Sequence, residues 1–150
     1  AVRAWRRIPR GRVEALVARA GDVGRAGPPS LVRQTARRGV LKGRLDDWLH
    51  SRARHALAAV ADGDVRALAV VDAYSYGGPH RLDVVVEPAW RSRVEAVVVD
   101  ACLARLADAP PAPVEVDVAA HDAPLVAVLR TAGFAPVRTL ERMELWLERT

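Results

Sequence analysis

Apolar residues recur along the chain with two different spacings. Val13, Leu16, Val17 and Ala20 stand at i, i+3, i+4 and i+7, one face of a helix that opens near Gly11 and stops at Gly21. Val2 to Ile8, before it, reads as a short strand halted by Pro9. Gly24 to Pro29 is a loop. Ser30 suits the N-cap of a second helical region in which Leu41, Leu45, Trp48 and Leu49 share a face, with Gly39 and Gly43 breaking it into two pieces. From His55 the character changes. Ala56 to Ala61 and Val65 to Ala73 are short runs split by Asp62-Gly63-Asp64, which predicts a hairpin. Tyr74 to Pro79 is a turn, and Arg81 to Val86 is a β-branched run ended by Pro88. A helix follows with Val94, Val97, Val98 and Ala101 on one face, extending to about Ala107. The Pro-rich stretch Ala109 to Pro113 leads to a strand over Val114 to Ala119. Asp122 then caps a last helix, with Pro124 in its first turn and Leu125, Val128, Leu129 and Ala132 facing inward. Gly133 fits the left-handed position that closes it. Val137 to Leu147 is a strand-like tail. The predicted order is β-α-α-β-β-β-α-β-α-β, an α+β fold on a mixed sheet.

Composition narrows the class. At 150 residues, 51% apolar and 27% charged, the chain has the balance of one globular domain spanning 1–150. No apolar run is long enough for a membrane span and no secretory pattern opens the chain, so a cytoplasmic protein without membrane partners is expected. The chain starts without methionine, which suggests a piece of a longer or tandem protein. Cys102, the only cysteine, cannot form an internal disulfide or a thiolate metal site, and in an apolar stripe it reads as an inert small hydrophobe. His50, His55 and His121 share no metal-ligand spacing, so no metal is expected. The net charge of +5 rests almost wholly on arginine, with Lys42 the only lysine. It is compatible with an anionic ligand such as a nucleotide cofactor or a nucleic acid. Arg3, Arg6, Arg7, Arg10 and Arg12, then Arg33, Arg37 and Arg38, motivate the nucleic-acid alternative, but no recognition motif or stacking aromatics accompany them, so nucleic acid is disfavoured.

Leu82 to Leu106 carries the most chemistry: an apolar strand, a Pro-aromatic break, an arginine-rich turn and a helix. A strand feeding a helix leaves backbone N–H groups unpaired at the positive end of the helix dipole, a seat for phosphate. Arg91 and Arg93 add full charges beside it, although the same arginines would equally solvate an ordinary turn. The string Leu82-Asp83-Val84-Val85-Val86-Glu87-Pro88-Ala89-Trp90-Arg91-Ser92-Arg93 resembles the fourth strand and pyrophosphate loop of GCN5-related N-acetyltransferases (GNAT). A second segment, Val114 to Ala120 with Asp122, Leu125, Leu129 and Gly133-Phe134, is similar to that family's fifth strand and the helix ending in Gly-Phe. Together the two cover Tyr74 to about Met143.

The resemblance implies a central mixed, mostly antiparallel sheet flanked by about four helices, with strands four and five splayed at Val86 and Val118. It also implies acetyl-CoA as donor and direct acetyl transfer to a small-molecule or peptide amine. Backbone groups of Val84, Val85 and Val86 would pair with the pantetheine arm. The amides of Arg91, Ser92, Arg93, Val94, Glu95 and Ala96 would hold the diphosphate, and Asp122 takes the place of the family's usual asparagine. His80 and Asp83 are the candidate general bases, His80 standing where some members carry glutamate; its other reading is a turn histidine beside Pro79. Tyr74 and Tyr76 either line the acceptor site, one of them serving as the acid, or pack in the turn. Two departures keep an alternative open. Ser92 and Val94 replace glycines that let a backbone approach phosphate closely, and Leu129 replaces a tyrosine that can protonate the departing thiolate. The alternative is a catalytically eroded domain serving as scaffold, acyl-CoA-binding or interaction module. A homodimer through Met143 to Leu147, or a tandem-domain partner, is compatible with either.

Overall fold

Between residues 52 and 86 small and β-branched residues dominate, and there the chain makes its three longest strands. The structure is a computed structural model and describes residues 1–5, 8–21, 32, 35, 52–119 and 121–139. In order these form β1 (Val2–Ala4), α1 (Arg10–Gly21), β2 (Arg52–Ala61), β3 (Asp64–Tyr74), β4 (His80–Val86), a single 3₁₀ turn (Pro88–Trp90), α2 (Glu95–Ala104), β5 (Val114–Val116) and α3 (Ala123–Thr131). The sheet runs β1-β2-β3-β4-β5, antiparallel through β4, with β5 parallel to β4. Among the described residues this is a mixed five-stranded sheet with three helices. No described helix is long and apolar enough to cross a membrane.

The hairpin forms as the Asp-Gly signal predicts. Asp62 (φ 53°) and Gly63 (φ 75°) both occupy the left-handed region, the geometry of a tight two-residue connection whose twist matches the flanking strands. Asp64 joins β3 instead of the turn.

The sheet buries both faces, which is why Ala67 to Val71 is continuously apolar rather than alternating. Ala67, Ala69 and Val71 of β3 meet Leu57, Leu82, Val84 and Val86, and are covered by Val98, Val99 and Cys102 of α2 and Leu125 and Leu129 of α3. Leu68 and Val70 face the other way, with Ala58 and Val85, and are covered by Trp5, Val13, Leu16 and Val32.

Several expectations need correction. The buried face of α2 is Glu95, Val98, Val99 and Cys102, while Val97 is 57% exposed. Three consecutive valines make every phase of the period apolar, so the pattern alone could not fix the rotation. β5 ends at Val116 rather than Ala119. Residues 134–139 carry no strand, and Val137 is 94% exposed. Asp122 sits at the N-cap of α3 but makes no side-chain capping bond. The second helical face, Leu41 to Leu49, and the tail beyond residue 139 lie outside the described residues.

His55 of β2 lies on the α2 side of the sheet, and its pKa falls below the ordinary histidine value of 6.5, chiefly through burial and secondly through the Arg105 charge, with Asp72 opposing. The unfolded chain therefore takes up this proton first. Its contribution to stability is complete above about pH 6.5 and is lost as the pH falls through that value toward the folded pKa. The expected result is that urea midpoints of the wild type decline on acidification more steeply than those of His55→Gln.

Candidate functional site: the β4–α2 turn and the parted strands

β4 and β5 pair over three positions only: His80 with Val114, Arg81 with Glu115, and Leu82 with Val116. Beyond Leu82 the two strands part. β4 continues to Val86 bonded to β3 through Ala67↔Val86 and Ala69↔Val84, while its β5 side has no strand partner among the described residues. The vertex of this V therefore lies at Leu82 and Val116, earlier in both strands than Val86 and Val118. At its wide end sit the 3₁₀ turn, residues 91–94 and the start of α2.

The chain's own atoms occupy that turn. The Glu95 carboxylate folds back so that Oε1 accepts the Ser92 N–H at 2.8 Å and Oε2 accepts the Val94 N–H at 3.2 Å. The Arg91 N–H donates to the Pro88 carbonyl and the Arg93 N–H to the Trp90 carbonyl. Glu95 is 1% exposed. Ser92 stands at φ 65°, the left-handed conformation in which the resemblance implies glycine, at a cost of about 1 kcal/mol. The four N–H groups from Arg91 to Val94 thus have protein acceptors, and a carboxylate rests where an anionic ligand was expected. In this arrangement the Ser92 and Val94 N–H groups are taken by the protein's own carboxylate, while β4 beyond Leu82 has no strand partner on its β5 side among the described residues.

The arginines are engaged as well. Arg91 Nη2 lies 3.7 Å from Asp122 Oδ2, so this pair links the end of β4 to the start of α3 across the mouth of the V. Arg91 Nε and Asp122 Oδ1 are buried and have no hydrogen-bond partner among the described residues. Arg93 lies over the Trp90 ring at 5.7 Å and Arg66 at 5.0 Å. Glu87 binds Arg66 at 2.8 Å and Arg19 at 3.0 Å, holding the turn against α1 and β3.

The two candidate bases separate onto opposite faces of the sheet. His80 shares the α2 side with Leu82, is 2% exposed, and has both ring nitrogens bound. Nδ1 accepts the Tyr74 N–H at 3.1 Å, so Nε2 carries the proton and donates to the Pro110 carbonyl at 2.9 Å. Abstracting a proton would require breaking the first of these bonds. Asp83 lies on the α1 side with Val85 and is 6% exposed. Tyr74 lines a cavity of about 370 Å³ with Gly77, Pro79, Pro111 and Pro113, and Tyr76 is 83% exposed. Leu129, at the place of the implied tyrosine, is buried in the core. Burial pushes the Cys102 thiol up to about 12, which leaves it protonated and unreactive.

Two features were not anticipated from the sequence. One is the inward turn of Glu95, for which a signal existed: Ser92-x-x-Glu95 has capping-box spacing, in which the acid reaches back to the first residue's N–H. The other is a buried ion cluster on the α1 side of the sheet. Arg54 and Asp72 are directly paired across β2 and β3, and the guanidinium grips both carboxylate oxygens. Arg52 approaches the same carboxylate at 3.6 Å, and Arg54 reaches Thr35 Oγ1 at 3.5 Å.

No protein-family model matches the chain, and no curated protein matches it. Solved structures do match over nearly its whole length. A predicted acetyltransferase from Clostridium acetobutylicum, solved with acetyl-CoA, aligns with a TM-score of 0.60 at 13% identity, covering 96% of this chain and 95% of its own. Glucosamine-6-phosphate N-acetyltransferase from Arabidopsis thaliana gives 0.59 at 11% identity, with 97% of each chain covered. A transcriptional regulator from Bacillus halodurans gives 0.58 at 15% identity, covering 97% of this chain and 99% of its own. The chain has the fold of the GCN5-related N-acetyltransferases. At such identities the likeness defines the fold and leaves the reaction to the site.

Proposed function

We propose that this chain is a GNAT-fold acyltransferase-type domain whose coenzyme seat is closed, so that on its own it transfers no acetyl group and acts as an interaction or scaffold module. One observation carries the reading: the buried Glu95 carboxylate lies on the Ser92 and Val94 N–H groups that a diphosphate would need. Val94 in place of glycine and the buried Leu129 in place of an acid point the same way. A ligand present at about 100 times its Kd stabilises a protein by about 2.7 kcal/mol. Titration with millimolar acetyl-CoA is therefore expected to leave the melting temperature unchanged and to release no calorimetric heat. A melting shift, or acetyl transfer to any amine by the isolated domain, would sink the reading.

The second reading is an acetyl-CoA-dependent N-acetyltransferase acting on a small-molecule or peptide amine. The edge of β4 over Val84 to Val86, which has no strand partner on its β5 side among the described residues, favours it, because extended backbone can pair with an amide-bearing chain. In it His80 or Asp83 takes the amine proton. The same titration decides between the two.

A further inference from the structure

We infer that Glu95 is an internal stand-in for a ligand: its carboxylate plugs a diphosphate-type anion seat that still exists beneath it. The inference rests on the closed-seat reading and goes further, since that reading holds equally if nothing lies under the plug. Four observations converge. The two carboxylate oxygens accept one N–H each, at 2.8 Å and 3.2 Å, as two oxygens of a single phosphate group would. Ser92 keeps a left-handed φ of 65°, the bend that turns its N–H toward the plug. The seat opens onto the parted ends of β4 and β5, where no strand fills the space among the described residues. At its rim, Arg91 Nε is buried without a partner and the Arg91 contact to Asp122 is loose, at 3.7 Å.

The plug and an incoming anion would compete for the same donors. A carboxylate tethered one residue past Val94 has a very high effective concentration at the seat, because binding there is intramolecular. An untethered diphosphate must displace it and also overcome repulsion between like charges in a buried space. The seat is thus closed by concentration and charge, and removing the side chain opens it.

The test uses inorganic diphosphate and coenzyme A as separate probes, with calorimetry on the wild type, Glu95→Ala and Glu95→Gln. Glutamine retains the side-chain volume and one acceptor oxygen, so it guards against a folding failure in the alanine variant. The expected result is at least tenfold tighter diphosphate binding by Glu95→Ala than by the wild type, with Glu95→Gln between them. Folded variants that bind diphosphate no better than the wild type would overturn the inference and leave the closed-seat reading standing. A wild type that binds coenzyme A would end the closed-seat reading and the inference with it. Equal, tight binding by all three proteins would end both.

Discussion

Replacing Asp72 with alanine is expected to lower the free energy of unfolding by about 3–5 kcal/mol, the usual cost of removing one partner from a buried ion pair. Asp72 has no exposed surface, Arg54 grips both of its oxygens, and Arg52 lies 3.6 Å away. Alanine would leave the Arg54 guanidinium in the sheet's α1-side core without the carboxylate it grips. Most of the loss comes from that uncompensated charge and not from the attraction between the ions, since withdrawing them from water largely offsets it. The double variant Arg54→Leu/Asp72→Leu is therefore expected to lose clearly less than Asp72→Ala. Urea unfolding of the single and double variants measures both. A single-variant loss below about 1 kcal/mol would place the pair with weakly contributing surface bridges.

Leu82→Ala is expected to cost about 2–5 kcal/mol, the range for deleting a large aliphatic side chain from a close-packed core. Leu82 is 1% exposed and is the last residue of β4 to pair with β5, opposite Val116. It packs in the cluster containing Val98, Val99 and Leu129, so its loss opens a cavity where α2, α3 and the sheet meet. The effect should also be local. Amide exchange in Val114 to Val116 is expected to quicken more than in β2, because a three-residue parallel strand has few bonds of its own to hold it. Equal quickening throughout would show that β5 does not depend on the vertex residue.

The parts of the fold legible in the sequence are those in which one physical signal acted alone. Asp62-Gly63 between two apolar runs fixed the hairpin because few residue pairs accept two successive left-handed conformations. Val13, Leu16, Val17 and Ala20 fixed the rotation of α1 because its other faces are charged. Gly133, at φ 92°, closes α3 as its position predicts. Where signals overlap, the pattern is ambiguous. Val97, Val98 and Val99 satisfy every phase of a helix, and the residue that sets the phase, Glu95, is of an acidic type rarely buried. The same ambiguity governed the site. The strand–turn–helix pattern located the turn, but a pattern of donors does not say which acceptor reaches them: Ser92 and Val94 N–H meet Glu95, while Arg91 and Arg93 N–H meet backbone carbonyls. His80 was likewise placed on the correct strand, but its carbonyl partner at Pro110 is 30 residues away, beyond the reach of local spacing.

The inward carboxylate of Glu95 has a genetic corollary. Glutamate codons become alanine, glycine or valine codons by changing the middle base alone, and valine becomes glycine in the same way at position 94. With Glu95 acting as the proposed plug, a lineage carrying this domain would pass between a sealed and an accessible phosphate seat through a single nucleotide.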